Sequence, residues 1–245
     1  MVEYTKVKFG QKETTNKENI MQTWTEKVDL GNGIFCYKGV IKKEFDVINR
    51  LESNLGSVAG YGELSPEGHR YHWMPAYVGY KQLMPEYRDC NDFKFKKTDI
   101  ENDKSEVSLN LQSLWQDLYD AKSPAVEDYC KMYNINNLKY WEAFNFIKYG
   151  PGQHFMEHHD HGFSYNCTVS LVSYVNDDYE GGELFFRLQN LKVKAEAGDL
   201  FIFPSNFMYP HQAMPVTSGT KYSIVTMLDY SKKFHTPEMY SADAD

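Results

Sequence analysis

Long apolar runs are missing from this chain, and no stretch approaches the ~18 apolar residues that a membrane span requires. The opening MVEYTKVKFGQKETTNKEN is polar throughout, so no signal peptide is expected. Cysteine is sparse: Cys36, Cys90, Cys130 and Cys167 form no C-x-x-C pair and no zinc-site spacing. Free thiols in a reducing compartment are the simpler expectation than a disulfide framework. Basic charge is short, with 26 Lys and Arg against 34 Asp and Glu for a net charge of −8, which disfavours a nonspecific grip on nucleic acid phosphates. Internal repeats and low-complexity linkers are absent too. Nothing in the sequence therefore splits the 245 residues, a length that suits one large domain. A soluble, cytoplasmic protein without membrane or nucleic acid partners is the expectation.

Aromatic residues, in contrast, are plentiful: 19 Tyr and 15 Phe favour a β-rich globular chain. Residues 1–30 read as a polar arm and residues 31–245 as a single domain. Within the domain, Ile34 to Tyr37 is a short strand, and Phe45, Ile48, Leu51 and Leu55 mark an amphipathic helix ending near Gly56. From Gly56 to Lys104 periodicity fades, and the aromatics there (Tyr80 and Tyr87 among them) are expected mostly in core packing, with one or two on a lid. Leu109 to Tyr119 predicts a second helix. Ser123-Pro124 predicts the start of a third, with Ser as cap and Pro in its first turn, running to Tyr133.

The texture changes across residues 138–230. Trp141 to Tyr149, Val169 to Val175, Glu183 to Leu188, Leu191 to Ala195, Leu200 to Phe203 and Tyr222 to Leu228 are strand-like, separated by Gly, Pro, Asn and Asp. Helices followed by many short strands predict a mainly β fold, a jelly roll buttressed by N-terminal helices across 31–137.

Inside that β region stands His158-x-Asp160, followed by His211 and, ten residues later, Lys221. In an extended strand, residues two apart share a face, so His158 and Asp160 can converge on one ion while His159 and His161 point away. Two imidazoles and a carboxylate form a facial triad suited to Fe(II) with positions left open. His159-x-His161 also has the look of a cupin metal site, but Ser164 and Tyr165 stand where its glutamate would be.

Five ordered elements carry a resemblance. They are Tyr149-Gly-Pro-Gly152-Gln-His-Phe155-Met-Glu-His158-His-Asp160, Ser170-Leu-Val172-Ser-Tyr174-Val-Asn176, Gly181-Gly182-Glu183-Leu184-Phe185-Phe186, Ala197-Gly198-Asp199-Leu200-Phe201-Ile202-Phe203, and His211 through Pro215-Val216 to Gly219-Thr-Lys221. Together they resemble the 2-oxoglutarate/Fe(II) dioxygenase superfamily, most closely its prolyl 4-hydroxylase-like branch. The resemblance implies a double-stranded β-helix core in which His158, Asp160 and His211 are iron ligands and act in catalysis. Lys221 is then the partner of the distal carboxylate of 2-oxoglutarate. Tyr174 and Ser170 hydrogen-bond that carboxylate or wall its pocket, and Tyr149 lies nearby. Cofactors implied are Fe(II), 2-oxoglutarate as cosubstrate and O2, with ascorbate as reductant.

The activity implied is hydroxylation of a protein or peptide residue, first of all a prolyl side chain, with release of succinate and CO2. Two positions depart from the prolyl hydroxylase pattern: Cys167 stands where that branch often carries Arg, and Met227 where it often carries Trp. Hydroxylation of a small molecule or nucleobase, or a binding module that keeps the fold without catalysis, are the alternatives.

Overall fold

The computed structural model describes residues 22–78, 82–136, 138–162 and 166–231. Most of the expected polar arm, Tyr80, Ser164 and Tyr165 lie outside the described residues, whereas Glu26–Asp29 of that arm is a strand. In chain order the strands are β1 (Glu26–Asp29), β2 (Phe35–Lys38), β3 (Met74–Pro75), β4 (Arg88–Asp89), β5 (Asn91–Phe95), β6 (Tyr140–Trp141), β7 (Phe144–Tyr149) and β8 (His154–His158). They continue as β9 (Val169–Tyr174), β10 (Glu180–Gly181), β11 (Leu184–Phe186), β12 (Leu191–Val193), β13 (Leu200–Pro204), β14 (His211–Ala213), β15 (Val216–Ser218) and β16 (Lys221–Asp229). The α-helices are α1 (Val47–Asn54), α2 (Lys97–Ile100) and α3 (Glu106–Met132).

Two antiparallel sheets face each other. The larger runs β1-β2-β13-β9-β16-β7-β5-β3, with β6 beside β16, and the smaller runs β12-β11-β14-β8-β4. This is the jelly roll that the sequence predicts. Alternation explains why the central strands are buried on both faces. On β13, Leu200 and Ile202 join the helix-side core with Leu111, Leu114 and Leu118, while Phe201 and Phe203 join the inter-sheet core with Phe186 and Leu184. On β9, Val169 and Leu171 face the helices, and Val172 and Tyr174 face inward. Each such side chain contributes about 1.5–3 kcal/mol on burial.

The helices correct the sequence reading in one place. Instead of two helices meeting at Ser123-Pro124, α3 is one 27-residue helix with Pro124 inside it and Ser105 as its cap, accepting from the Ser108 amide. Proline removes one ladder bond and crowds the preceding turn, at about 3 kcal/mol. The apolar stripe Leu111, Leu114, Leu118, Ala121, Ala125 and Tyr129 continues unbroken past it into the core, which offsets that cost. Thr23 Oγ1 donates to the Ala121 carbonyl in the loosened turn. The stretch 56–104, expected to be irregular, contributes three short strands; β5 extends the large sheet and β4 the small one. Among the described residues no helix is long and apolar enough to cross a membrane.

Candidate metal centre and adjoining pocket

Strand pairing brings the two distant histidines together. In the β8–β14 ladder His211 is the register partner of His158, so their rings lie side by side, centroids 4.5 Å apart. Strand β8 ends at His158, so Asp160 lies just beyond the strand rather than within it as alternation supposed. Its carboxylate nevertheless meets both rings, Oδ1 at 3.5 Å from His158 Nε2 and Oδ2 at 3.8 Å from His211 Nε2. One ligand atom from each of the three falls within 4.8 Å of the others.

The protonation pattern fits a metal. His158 Nδ1–H donates to the Met156 carbonyl at 2.8 Å, and His211 Nδ1–H to the Tyr209 carbonyl at 3.0 Å. A carbonyl can only accept, so each Nδ1 carries a proton and each Nε2 edge is turned toward Asp160. Burial pushes His211 down to about 4, with Asp160 opposing and His158 adding to the shift, which keeps the ring neutral as a ligand must be. For Asp160, burial acts to raise the pKa, but His211, His158 and the Ser170 hydroxyl outweigh it and hold the carboxyl below the usual range. Ser170 Oγ donates to Asp160 Oδ2 at 2.5 Å, and Ser205 Oγ in turn donates to Ser170 at 2.7 Å. This relay leaves the other carboxylate oxygen free to ligate. Two imidazoles and a carboxylate match the donor set of Fe(II), so the residues fit the ion that the resemblance implies.

A second polar feature lies deeper between the sheets. Lys221, 1% exposed, opens β16 opposite Tyr149 in register. Its ammonium is 4.3 Å from the Tyr149 ring centroid and 5.8 Å from that of Tyr174, and it donates to the Gly182 carbonyl at 3.0 Å. Gly182 has φ +65°, and a Cβ there would come 3.2 Å from Lys221 Cδ. Burial lowers Lys221 to about 8, with Cys90 and Glu183 pulling it back up. Burial also keeps the Tyr149 and Tyr174 phenols protonated. A buried ammonium attracts a carboxylate more strongly than the same group in water does.

Of the residues singled out from sequence, His158, Asp160 and His211 converge, as do Lys221, Tyr149 and Tyr174 in their own group. Ser170 sits on the Asp160 side, against that carboxylate, rather than beside Lys221. Sequence reasoning did not single out Ser205 or Arg88. They reach the site only through the pairing of β13 with β9 and of β4 with β8, which no local spacing signals.

Residues 144–228 match the family described as the 2OG-Fe(II) oxygenase superfamily. A candidate prolyl 4-hydroxylase of Acanthamoeba polyphaga mimivirus is 29% identical over 136 residues, 46% of this chain and 55% of the relative. A PKHD-type hydroxylase of Colwellia psychrerythraea is 38% identical over 66 residues, 26% of this chain and 28% of that protein. The chain thus spans about half the length of the viral relative, and less of the bacterial one. Among solved structures, a Trichoplax adhaerens prolyl hydroxylase in complex with a hypoxia inducible factor peptide fragment superposes with TM-score 0.59 at 14% identity, covering 83% of this chain and 86% of that one. A Pseudomonas putida prolyl-4-hydroxylase gives TM-score 0.52 at 18% identity over 80% and 91%. At such identities the superpositions establish a shared fold.

Proposed function

We propose that this chain, whose residues 144–228 belong to the 2OG-Fe(II) oxygenase superfamily, hydroxylates a protein or peptide residue, a prolyl side chain first of all, while converting 2-oxoglutarate to succinate and CO2. The observation that carries the reading is the convergence of two imidazole Nε2 atoms and one buried carboxylate, in a chain that also buries an ammonium with no carboxylate partner among the described residues.

His158, Asp160 and His211 would hold Fe(II). When bound, the ion supplies open positions at which 2-oxoglutarate and O2 react, so that the keto acid loses CO2 and one oxygen atom enters a substrate C–H bond. The protein's own groups do the rest. Lys221 clasps the far carboxylate of the cosubstrate, and the Tyr149 and Tyr174 rings exclude water from that contact, which strengthens it. Ser170, backed by Ser205, fixes the rotamer of Asp160 so that Oδ1 stays available. The retained Asp160 carboxylate supports hydroxylation over halogenation, since it fills the position that a halide would take.

The viral relative's name, a prolyl 4-hydroxylase, supports a peptide substrate. Met227 pairs with Ser170 in the β9–β16 ladder and so shares the face next to Asp160, where it replaces the commoner tryptophan. A smaller, flexible side chain there leaves more room beside the reacting carbon.

The test is Fe(II)-dependent release of succinate from 2-oxoglutarate, with a peptide panel read by mass for a gain of one oxygen. Asp160→Ala is expected to drop turnover to that of an enzyme-free control; unchanged turnover would refute the assignment. Succinate release without any modified peptide would turn the substrate reading toward a small molecule.

A further inference from the structure

We propose that Arg88 is a positioning residue for the metal-facing edge of His158, acting through the ring of Phe155; this rests on the metal-centre reading above. Arg88 lies outside the span that matches the family, on β4, where it is the register partner of Phe155 in β8. Its guanidinium carbon stands 4.9 Å from the Phe155 ring centroid. Phe155 in turn stacks on the His158 imidazole, centroids 3.7 Å apart and planes 16° from parallel. Arg88, Phe155 and His158 thus form one stack that ends at a ligand nitrogen.

The two histidines are held differently, and that difference is why the stack matters. His211 is 5% exposed and packs against both Phe203, at 5.0 Å, and Phe186, at 5.6 Å. His158 has a side chain 16% exposed, and apart from His211 its aromatic support among the described residues is Phe155. Its Nδ1 bond to Met156 sets the tautomer, but that carbonyl belongs to the same strand, so it does not brace the ring from outside. Phe155 supplies the brace only while its own ring is fixed. Tyr87 meets it edge-on at 5.8 Å, and Arg88 covers it.

Arg88 is itself anchored from two other segments. Nη2 bonds Asp92 Oδ2 at 3.0 Å, and Nη1 bonds the Tyr77 carbonyl at 3.0 Å. Its Nε is buried with no hydrogen-bond partner, a cost of about 1–3 kcal/mol. Planar stacking on an aromatic is something guanidinium does and ammonium does poorly. Residues that orient metal ligands typically alter affinity or activity by about 10–100-fold when changed.

The experiment is Co(II) titration of the apo-protein, followed by its visible bands, in a double-mutant cycle of Arg88→Met and Phe155→Leu, with Arg88→Lys alongside. Each single change is expected to weaken Co(II) binding at least about tenfold, with Arg88→Lys intermediate. The double variant is expected to be no weaker than Phe155→Leu alone, because both changes cut the same stack. In turnover, the Fe(II) activation constant should rise while kcat at saturating iron and KM for 2-oxoglutarate stay within about threefold. Additive losses, or Arg88→Met binding Co(II) as tightly as wild type, would overturn the proposal while leaving the metal centre standing. Should Arg88→Met fail to fold, Phe155→Leu against Arg88→Lys decides by the same criterion. Wild-type protein that binds no Co(II) would sink the metal centre itself, and this inference with it.

Discussion

Two buried lysines, one in each core of the molecule, show how differently the same side chain can be used. Lys122, on α3, is fully buried in the helix–sheet layer, 4.5 Å from the Phe144 ring centroid, and its amine has no hydrogen-bond partner. Lys221 is equally buried and also lies over an aromatic ring, but it donates to the Gly182 carbonyl and has a second tyrosine ring beside it. Burial lowers both, Lys122 to about 7 and Lys221 to about 8. Desolvation without compensation is a cost in both places. On the proposed function, a dicarboxylate bound at Lys221 would recover it, whereas Lys122 has no such ligand proposed. Burial of a charge is thus not in itself a mark of function, whereas burial beside room for a counter-ion is.

The contrast breaks first at Lys221→Met. Removing one partner of a desolvated ion pair costs about 2–5 kcal/mol, so KM for 2-oxoglutarate should rise at least about thirtyfold while the fold becomes no less stable. Steady-state kinetics together with thermal unfolding check both halves, and an unchanged KM would mean that the cosubstrate is held elsewhere. Lys122→Met should do the reverse, leaving KM alone and stabilising the protein by about 3 kcal/mol at pH 7, or about 6–12 °C in Tm. The sign follows from linkage. The amine loses its proton near 7 when folded and near 10.5 when unfolded, so the unfolded chain binds more protons between those values. Wild-type stability should therefore rise with pH across that window, and the advantage of Lys122→Met should shrink toward pH 10. A flat difference between the two proteins would count against a buried amine at 122.

A smaller effect separates the pair by pH. If Lys221 must be protonated to hold the carboxylate, apparent KM for 2-oxoglutarate should climb about tenfold per unit above pH 8. The slope should vanish in Lys221→Arg, whose guanidinium keeps its charge throughout. Identical slopes in both proteins would assign the pH effect to another group.

How much of this was legible beforehand differs between the two regions for a physical reason. The C-terminal strands could be read because their pattern is local: alternating side chains, Gly-rich turns and the fixed intervals from His158 to Asp160 and from His211 to Lys221. The register that sets His211 opposite His158 is a long-range pairing, which the resemblance implied and periodicity could not. The continuity of α3 was hidden because Ser123-Pro124 carries a strong local start signal that packing overrides. With two residues, β4 is too short to display alternation, so the route from Arg88 to Phe155 was invisible. Ser170 was read as a group at the cosubstrate carboxylate; its bond to Asp160 was not foreseen, since spacing along β9 does not say what lies opposite.

The finest distinction concerns the aromatic rings under the two ammonium groups. Tyr149 and Phe144 both support a buried lysine, at 4.3 Å and 4.5 Å, yet only Tyr149 carries a hydroxyl. If the ring face is what matters, Tyr149→Phe keeps the quadrupole that attracts the cation and should shift KM for 2-oxoglutarate by less than about threefold. Tyr149→Leu removes that face and, at about 2 kcal/mol for a desolvated cation–π contact, should raise KM by roughly an order of magnitude. If instead the phenol donates to the bound carboxylate, Tyr149→Phe alone should cost tenfold or more, because charge-assisted hydrogen bonds contribute about 1.5–3 kcal/mol. Phe144→Leu completes the comparison: Phe144 packs against Lys122, Trp115 and Trp141 in the helix layer, so the change should lower Tm and leave KM where it was. A change in KM there would mean that the helix layer and the pocket communicate, and that the two lysines are less separate than their surroundings make them.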